Sequence, residues 1–190
     1  QEYTTLVNPE RDVGPTHIHG ISASEVKHAP LFKDVAGDVF SLLSGAIFVT
    51  HNIAFDMRML ALEVERLGVP VPDARRLCTL RLSREYIPEI SARKLTLCCE
   101  YLGIALHNAH SAHDDALAAH SLLRECLRRA QAIGSSWTAF IQGEDEIWPT
   151  RPISGKCCTR SQAAAIKAQN PSYLQTLVKR LPAQSQDVNL

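Results

Sequence analysis

The sequence has no long apolar run, no net charge and no paired cysteine motif. None of its hydrophobic stretches approaches the roughly 20 residues that span a bilayer, so no membrane span is expected. Its 20 Lys and Arg residues balance 20 Asp and Glu residues, so any surface that attracts nucleic acid must be local. The start, "QEYTTLVNPE", lacks the basic and apolar parts of a signal peptide. The six cysteines form no CxxC pair, which favours free thiols in a reducing cytoplasm over a zinc ribbon or a disulfide framework.

What is present is a globular composition, 45% hydrophobic and 21% charged, with alternating types of element. Apolar patterns predict strands at 2–8, 46–50 and 74–80. The 3.6-residue period and capping signals predict helices near 23, at 34–45, 55–68, 81–90, 94–103 and 113–130, and at 170–182. The longest of these is expected to bury Ala116, Ala119, Leu123, Leu127 and Ala130. Strands alternating with helices indicate an α/β domain over 1–134, followed by a linker and a basic helical extension over 135–190.

The segment "VTHNIAFDMRML" places a polar loop and an aspartate directly after a predicted strand. Asp56 would then lie in the first turn of a helix, where an acidic side chain simply offsets the helix dipole. It would also lie at the carboxyl end of a strand, where open α/β sheets place their binding sites, and so could hold a metal ion. Asn52 either makes a local turn or binds a substrate.

The segment "HNAHSAHDDA" contains three histidines spaced three residues apart, followed by two aspartates. One interpretation is a zinc site built from His107, His110 and His113, although this spacing does not keep three side chains on one helix face. Another is a polar loop that runs into a helix. A third is a histidine base beside a carboxylate-bound divalent metal, since a metal lowers the pKa of bound water into the range where histidine titrates.

A third feature is the basic stretch between Arg75 and Lys94, which includes Arg81, Arg84 and Arg93. Such a series is usually a solvated face. It could also follow a phosphate backbone, because Lys and Arg supply most of the affinity for nucleic acid.

Four segments, in this order, resemble motifs of the DEDDh class of 3′–5′ exonucleases, which includes the proofreading epsilon subunit of bacterial DNA polymerase III. They are "TLVNP…HIHGIS", "THNIAFDMRML", "TLRLSREYIP…KLTLCCEYLGI" and "HSAHDDALAAHSLL". The likeness covers residues 3 to about 130. It implies a ribonuclease-H-like exonuclease fold, α/β, with a mixed sheet flanked by helices.

The resemblance also implies a set of site residues. Asp56 matches the second-motif metal ligand, His110 the general base, and Asp115 the third-motif metal ligand. Substrate contacts are implied for two loops, one with His19, Gly20 and Ile21 and the other with His51, Asn52 and Phe55. The implied activity is proofreading-type or repair-type hydrolysis of single-stranded DNA from its 3′ end, with a DNA polymerase as a partner. Two Mg²⁺ or Mn²⁺ ions, roughly 3.5–4 Å apart, would clamp the scissile phosphate while His110 deprotonates a water.

The sequence departs from this class at the first motif, an Asp-x-Glu pair on the first strand upstream of "LVNP". No Asp-x-Glu occurs among the 190 residues. We therefore expect an N-terminally truncated fold with its first strands missing, and impaired activity, because Asp56 and Asp115 alone would ligate two cations poorly. Three alternatives stay open: a non-catalytic module that binds nucleic acid or a polymerase, an exoribonuclease, and a zinc-dependent hydrolase.

Overall fold

The computed structural model describes residues 2–106 and 111–169, with side chains up to Ala165. Its centre is a mixed three-stranded sheet in the order β1-β2-β3. Strand β1 (Phe48–Thr50) pairs in parallel with β2 (Ala74–Cys78), so that Val49 lies opposite Leu77. Strand β3 (Gln142–Asp145) pairs antiparallel with the other side of β2. The predicted mixed α/β architecture is therefore confirmed.

Helices surround this sheet. In chain order they are α1 (Thr16–His19), α2 (Ala23–Val26), α3 (Phe32–Leu43), α4 (Ile53–Arg66), α5 (Thr79–Tyr86), α6 (Leu95–Leu102), α7 (Ala112–Ala132) and α8 (Arg160–Gln169). A 3₁₀ turn lies at Trp137–Phe140. Within the described residues, no helix combines the length and apolar character needed to cross a membrane.

Helix α4 is the crossover that lets β1 and β2 run parallel, as parallel strands require. Val64, one of the apolar residues behind the helix predicted at 55–68, is fully buried. The predicted end at Gly68 is confirmed, because that glycine adopts φ +69° directly after the last helical turn. The crossover places the start of α4 immediately after the carboxyl end of β1.

Two apolar clusters hold the layers together. The larger lies between the sheet, α5 and α7, and its fully or nearly fully buried residues include Leu77, Leu82, Ile87, Leu122 and Cys126. The other lies between α3, α4 and the residues after β3. There the rings of Phe40 and Trp148 stack with centroids 5.5 Å apart. Burial of such aromatic side chains contributes strongly to stability.

The predicted strand over residues 2–8 is wrong. Only Asn8 forms a β-bridge there, an isolated one with Leu31. The Leu6 N–H instead donates to the carbonyl oxygen of Cys158, 2.7 Å away. The segment thus hydrogen-bonds to a distant part of the chain that has no strand pattern. The predicted strand 74–80 ends at Cys78, because Thr79 already begins α5.

The predicted buried stripe of α7 is only partly right. Ala119 and Ala130 are buried, whereas Ala116 is exposed and Leu123 and Leu127 are half-buried. Their places in the core are taken by the neighbouring residues Ala118, Leu122 and Cys126. The true stripe is therefore rotated by about one residue, an error that periodicity alone readily produces because each position turns the helix by about 100°.

The segment after Gly134 contributes β3 and Trp148 to the packing of the elements before it. Helix α8 was not predicted from the sequence, and the helix predicted at 170–182 lies outside the described residues. The division of the chain at Gly134 stays a prediction. All six cysteines are free thiols, and only Cys157 is exposed.

Candidate active site

Asp56 lies in the first turn of α4, at the carboxyl end of β1. It is half-buried, and Thr50, the last residue of β1, donates a hydrogen bond from Oγ1 to Asp56 Oδ2 at 2.7 Å. Only residues 51–52 separate β1 from α4, so the end of the strand lies close enough to hold the Asp56 carboxylate. The sequence places this carboxylate correctly after the strand, but its hydroxyl partner was not predicted.

Asp115 lies in the first turn of α7, where its backbone N–H donates to the Ser111 carbonyl at 2.8 Å. Helix α7 packs against β1, and the charge of Asp115 reaches Asp56. Burial raises the pKa of Asp56 most, the Asp115 carboxylate raises it further, and the Thr50 hydrogen bond opposes both. Two carboxylates from separate helix starts thus interact. A pair of like charges in a half-buried site is the arrangement that a bound cation stabilises.

His51 is held by the protein at both ring nitrogens. Nε2 lies 2.7 Å from the Arg93 carbonyl oxygen, and Nδ1 lies 3.0 Å from Thr79 Oγ1. Burial lowers the pKa of His51, although the Arg93 carbonyl and the charge of Asp56 oppose this. In the neutral ring, Nε2–H donates to the carbonyl and Nδ1 accepts from the hydroxyl. His51 therefore ties the loop after β1 to the segment before α6.

Two of the predicted substrate contacts that follow His51 face outward, whereas Ile53 between them is buried. Asn52 is exposed and adopts φ 74°, ψ 54°, a left-handed conformation that asparagine tolerates, at the N-cap of α4. Phe55 is 52% exposed, and the Arg58 guanidinium lies 5.7 Å from the centre of its ring. An exposed aromatic ring with a cation on its face is a surface on which a nucleobase can stack.

The predicted substrate loop with His19, Gly20 and Ile21 joins α1 to α2. The Ile21 N–H donates to His19 Nδ1 at 3.0 Å, so Nε2 carries the proton and donates to the Val13 carbonyl at 3.1 Å. Gly20 adopts φ +67°. His19 and Ile21 also line a cavity of about 310 Å³ together with Thr5, Leu6, Val7, Pro9, Val13 and Val26.

His107 and His110 lie outside the described residues, so the base assigned to His110 stays a prediction. His113 Nε2 lies 2.6 Å from Glu2 Oε1 and Nδ1 lies 3.2 Å from Asp114 Oδ1, so this histidine is paired with carboxylates. Between residues 2 and 106 and between 111 and 169, no three His, Cys, Asp or Glu side chains are grouped as a metal site would require.

Three further residues contact predicted site residues in ways that the sequence did not reveal. Thr50 orients Asp56, Thr79 orients His51, and Arg160 Nη2 donates to the His19 carbonyl at 2.8 Å. The position of Thr50 at the end of the predicted strand, six residues before Asp56, could have indicated that its hydroxyl reaches the carboxylate. Nothing in the local sequence links Arg160 to residue 19.

Comparison with known proteins identifies the family. The exonuclease family RNase_T matches residues 1–123. The 3′–5′ exonuclease DinG of Bacillus subtilis is 33% identical over 136 residues, which cover 70% of this chain and 14% of that protein. The PolC-type DNA polymerase III of Caldanaerobacter subterraneus is 32% identical over 134 residues, 70% of this chain and 10% of that protein. The chain thus spans only a small part of the length of these relatives.

A solved structure agrees at the level of the fold. Exonuclease X, in complex with 5′ overhanging duplex DNA, superposes with a TM-score of 0.52 at 22% identity, covering 71% of this chain and 76% of that one. Together with the family match over residues 1–123, this confirms the resemblance inferred from the four motifs. The chain belongs to the RNase_T family of exonucleases.

Proposed function

We propose that this chain is a metal-dependent 3′–5′ exonuclease domain that hydrolyses the phosphodiester bonds of DNA from the 3′ end of a single strand. The observation that carries the proposal is the placement of Asp56 and Asp115 in the first turns of α4 and α7, two helices that both pack against β1. Family membership supports the reaction class, and the names of the DinG and PolC-type relatives support a role in DNA repair or replication. A cytoplasmic location would suit that role.

The donor set fits a hard divalent cation. Asp56 and Asp115 offer carboxylate oxygens, which Mg²⁺ and Mn²⁺ prefer, and burial raises the pKa of Asp56, so a bound cation would favour its ionised form. When bound, such ions would supply a water of lowered pKa and would stabilise the leaving 3′ oxygen. Among the chain's own residues, Thr50 keeps the Asp56 carboxylate oriented, and Phe55 offers a face for a nucleobase.

The base in this proposal is His110, which takes a proton from the attacking water. The 190 residues contain no Asp-x-Glu pair, so we propose that the metal is held weakly and that turnover is slow. A second candidate is a module that binds nucleic acid without cleaving it, and the test below distinguishes the two. Because PolC-type polymerases are among the relatives, either form could work beside a polymerase.

The test uses the 190-residue chain with a 5′-labelled single-stranded DNA in Mg²⁺ or Mn²⁺. Stepwise shortening from the 3′ end is expected, and a matched RNA shows which nucleic acid is preferred. Asp56→Asn and Asp115→Asn should each abolish the shortening. Asp114→Asn is the matched control, since it removes the same charge from the same helix turn and should retain activity.

Mn²⁺ titration followed by electron paramagnetic resonance gives a readout independent of turnover. Binding by the wild type and its loss in Asp56→Asn would support the metal site even if cleavage is slow. DNA binding without cleavage in either metal would favour the non-catalytic module. Cleavage that survives both Asp→Asn changes would contradict the proposal.

A further inference from the structure

Residues 148–165, here called the C-terminal strap, lie outside the part of the chain that matches the family. The strap contacts α3 at several of its residues. Trp148 stacks on Phe40, and the Asp38 carboxylate accepts hydrogen bonds from the backbone N–H groups of Ser154 (3.0 Å) and Gly155 (2.9 Å). Gly37 permits the close approach, because a Cβ there would lie 2.0 Å from the Pro152 carbonyl oxygen. The strap is therefore packed on α3 along its first half.

The second half of the strap contacts the N-terminal segment. The Cys158 carbonyl accepts from Leu6 N–H at 2.7 Å, and the Cys158 N–H donates to Thr5 Oγ1 at 2.9 Å. Ala163 of α8 is buried in an apolar cluster with Leu6 and Val26. These contacts fix the start of α8 beside α2, with Arg160 at the first position of the helix.

From this position Arg160 reaches the predicted substrate loop. Its Nη2 donates to the His19 carbonyl oxygen at 2.8 Å, at the last residue of α1. Nη2 and Nη1 lie 3.7 and 3.8 Å from the point that a Cβ on Gly20 would occupy. The guanidinium thus covers the backbone of Gly20 while it holds the carbonyl beside it. Arg160 is itself exposed, so its other N–H groups stay accessible.

The loop is held partly by contacts with other segments, among them the packing of Ile21 against the apolar cluster of Leu6 and Val26. Helix α1 has four residues, too few to be stable alone, and the hydrogen bonds of the His19 ring reach no farther than Val13. A hydrogen bond from a charged donor is stronger than one between neutral groups. Arg160 therefore supplies a strong tie from a part of the chain that is anchored independently on α3.

We propose that Arg160 is a positioning residue for nucleic-acid binding: from the C-terminal strap it holds the His19–Ile21 loop in the conformation that receives the end of a DNA strand. This inference rests on the proposed function for its ligand. The sequence predicted only a linker and a basic extension for this part of the chain. The inference gives the strap, which lies outside the family match, a role in the binding site.

The test compares Arg160→Ala with Arg151→Ala. Arg151 is the matched control, because it lies on the same strap and donates to a carbonyl at 3.3 Å, that of Leu67. Amide hydrogen exchange at Gly20 and Ile21 should accelerate about tenfold in Arg160→Ala and stay unchanged in Arg151→Ala. Protection of α7 should be equal in both variants, which shows that each is folded.

Fluorescence anisotropy with single-stranded DNA in Ca²⁺ then measures binding without turnover. We expect Arg160→Ala to raise Kd, and KM where cleavage is measurable, by about tenfold at little change in kcat, with Arg151→Ala near wild type. The inference would be overturned if amide hydrogen exchange at Gly20 and Ile21 were unchanged in Arg160→Ala. It would also be overturned if Arg160→Ala and Arg151→Ala lost the same DNA affinity. If the wild type bound no DNA, the proposed function and the binding role of Arg160 would both fail, whereas the exchange result would still decide whether Arg160 holds the loop.

Discussion

Thr50 Oγ1 and Asp56 Oδ2 are 2.7 Å apart, so the last residue of β1 fixes the first carboxylate of α4. Because β1 is hydrogen-bonded into the sheet, Thr50 has a fixed position, and its hydrogen bond orients the carboxylate of the proposed metal ligand Asp56. Groups that orient a ligating carboxylate affect metal affinity although they do not touch the ion.

Thr50→Val keeps the shape of the side chain and removes this donor. The Asp56 carboxylate would lose its orienting bond, and its pKa would rise further because the Thr50 hydrogen bond lowers it. We expect Mn²⁺ affinity to fall about tenfold. Calorimetric titration measures it, with the exposed Thr138→Val as control. Equal Mn²⁺ affinity in the wild type and Thr50→Val would show that Thr50 does not contribute to metal binding.

Arg93 offers a test of the basic stretch. Its carbonyl holds His51, but its Nε and Nη1 atoms are buried without a hydrogen-bond partner in the part of the chain that the structure describes. Unpaired buried donors cost stability, so Arg93→Met should raise the free energy of unfolding by about 1 kcal/mol. If Arg93 serves nucleic acid, the same variant should bind DNA more weakly.

Urea denaturation and DNA anisotropy measure the two effects of Arg93→Met. Arg84→Met, at an exposed position of the same stretch, is the control and should leave stability within about 0.5 kcal/mol. A destabilised Arg93→Met protein would show that the guanidinium has a structural partner, contrary to this expectation.

Gly37→Ala tests the attachment of the strap to α3. The added Cβ would meet the Pro152 carbonyl oxygen at 2.0 Å, so strap or helix must shift. We expect a loss of about 3 kcal/mol in unfolding free energy, the upper range for overpacking. The control is Ser41→Ala on the exposed side of α3, measured in the same thermal or urea experiment. A loss below about 0.5 kcal/mol would mean that the strap does not rest on Gly37.

Acid should weaken the ion pairs on α7. Glu125 accepts hydrogen bonds from Arg128 (2.7 Å) and Arg129 (2.9 Å), which lower its pKa to about 2. Because the folded pKa lies below the ordinary value of 4.5, its contribution is complete above that pH and declines as the pH falls towards 2. Glu125→Gln should cost about 1 kcal/mol at pH 7 and progressively less below pH 4.5.

Urea unfolding of wild type and Glu125→Gln at pH 7, 5 and 3 checks this dependence. The exposed Glu100→Gln serves as the control and should show little difference at any of the three values. A stability difference that stays constant from pH 7 to 3 would show that the ion pairs contribute nothing that depends on the charge of Glu125.

The sequence predicted those features whose cause is local. Helix α4 has an apolar period and a terminal glycine, the box of Ser22 and Glu25 marks α2, and Asp56 follows a strand; all three are visible within a few residues. The approach of Asp115 to Asp56 was implied by resemblance rather than by any local pattern. The charge of Asp115 raises the pKa of Asp56, and their sharing of one metal site stays a prediction.

The features that sequence reasoning missed depend on distant contacts. The strap carries no periodic pattern, and the bonds of Asp38 to Ser154 join residues 116 positions apart. The segment at 2–8 has the alternation of a strand, but it pairs with residue 158 rather than with a neighbouring strand. Which partner an extended segment finds is decided by the tertiary structure, and single-sequence patterns do not contain that information.

The contacts between the N-terminal segment and the strap also constrain the order of folding. Tyr3 donates to the Lys156 carbonyl and Cys158 to Thr5, each across 153 residues. Contacts of such separation form late, because a long loop must close first. During translation, residues 3–6 leave the ribosome before the strap, so these hydrogen bonds form only after residue 158 has emerged.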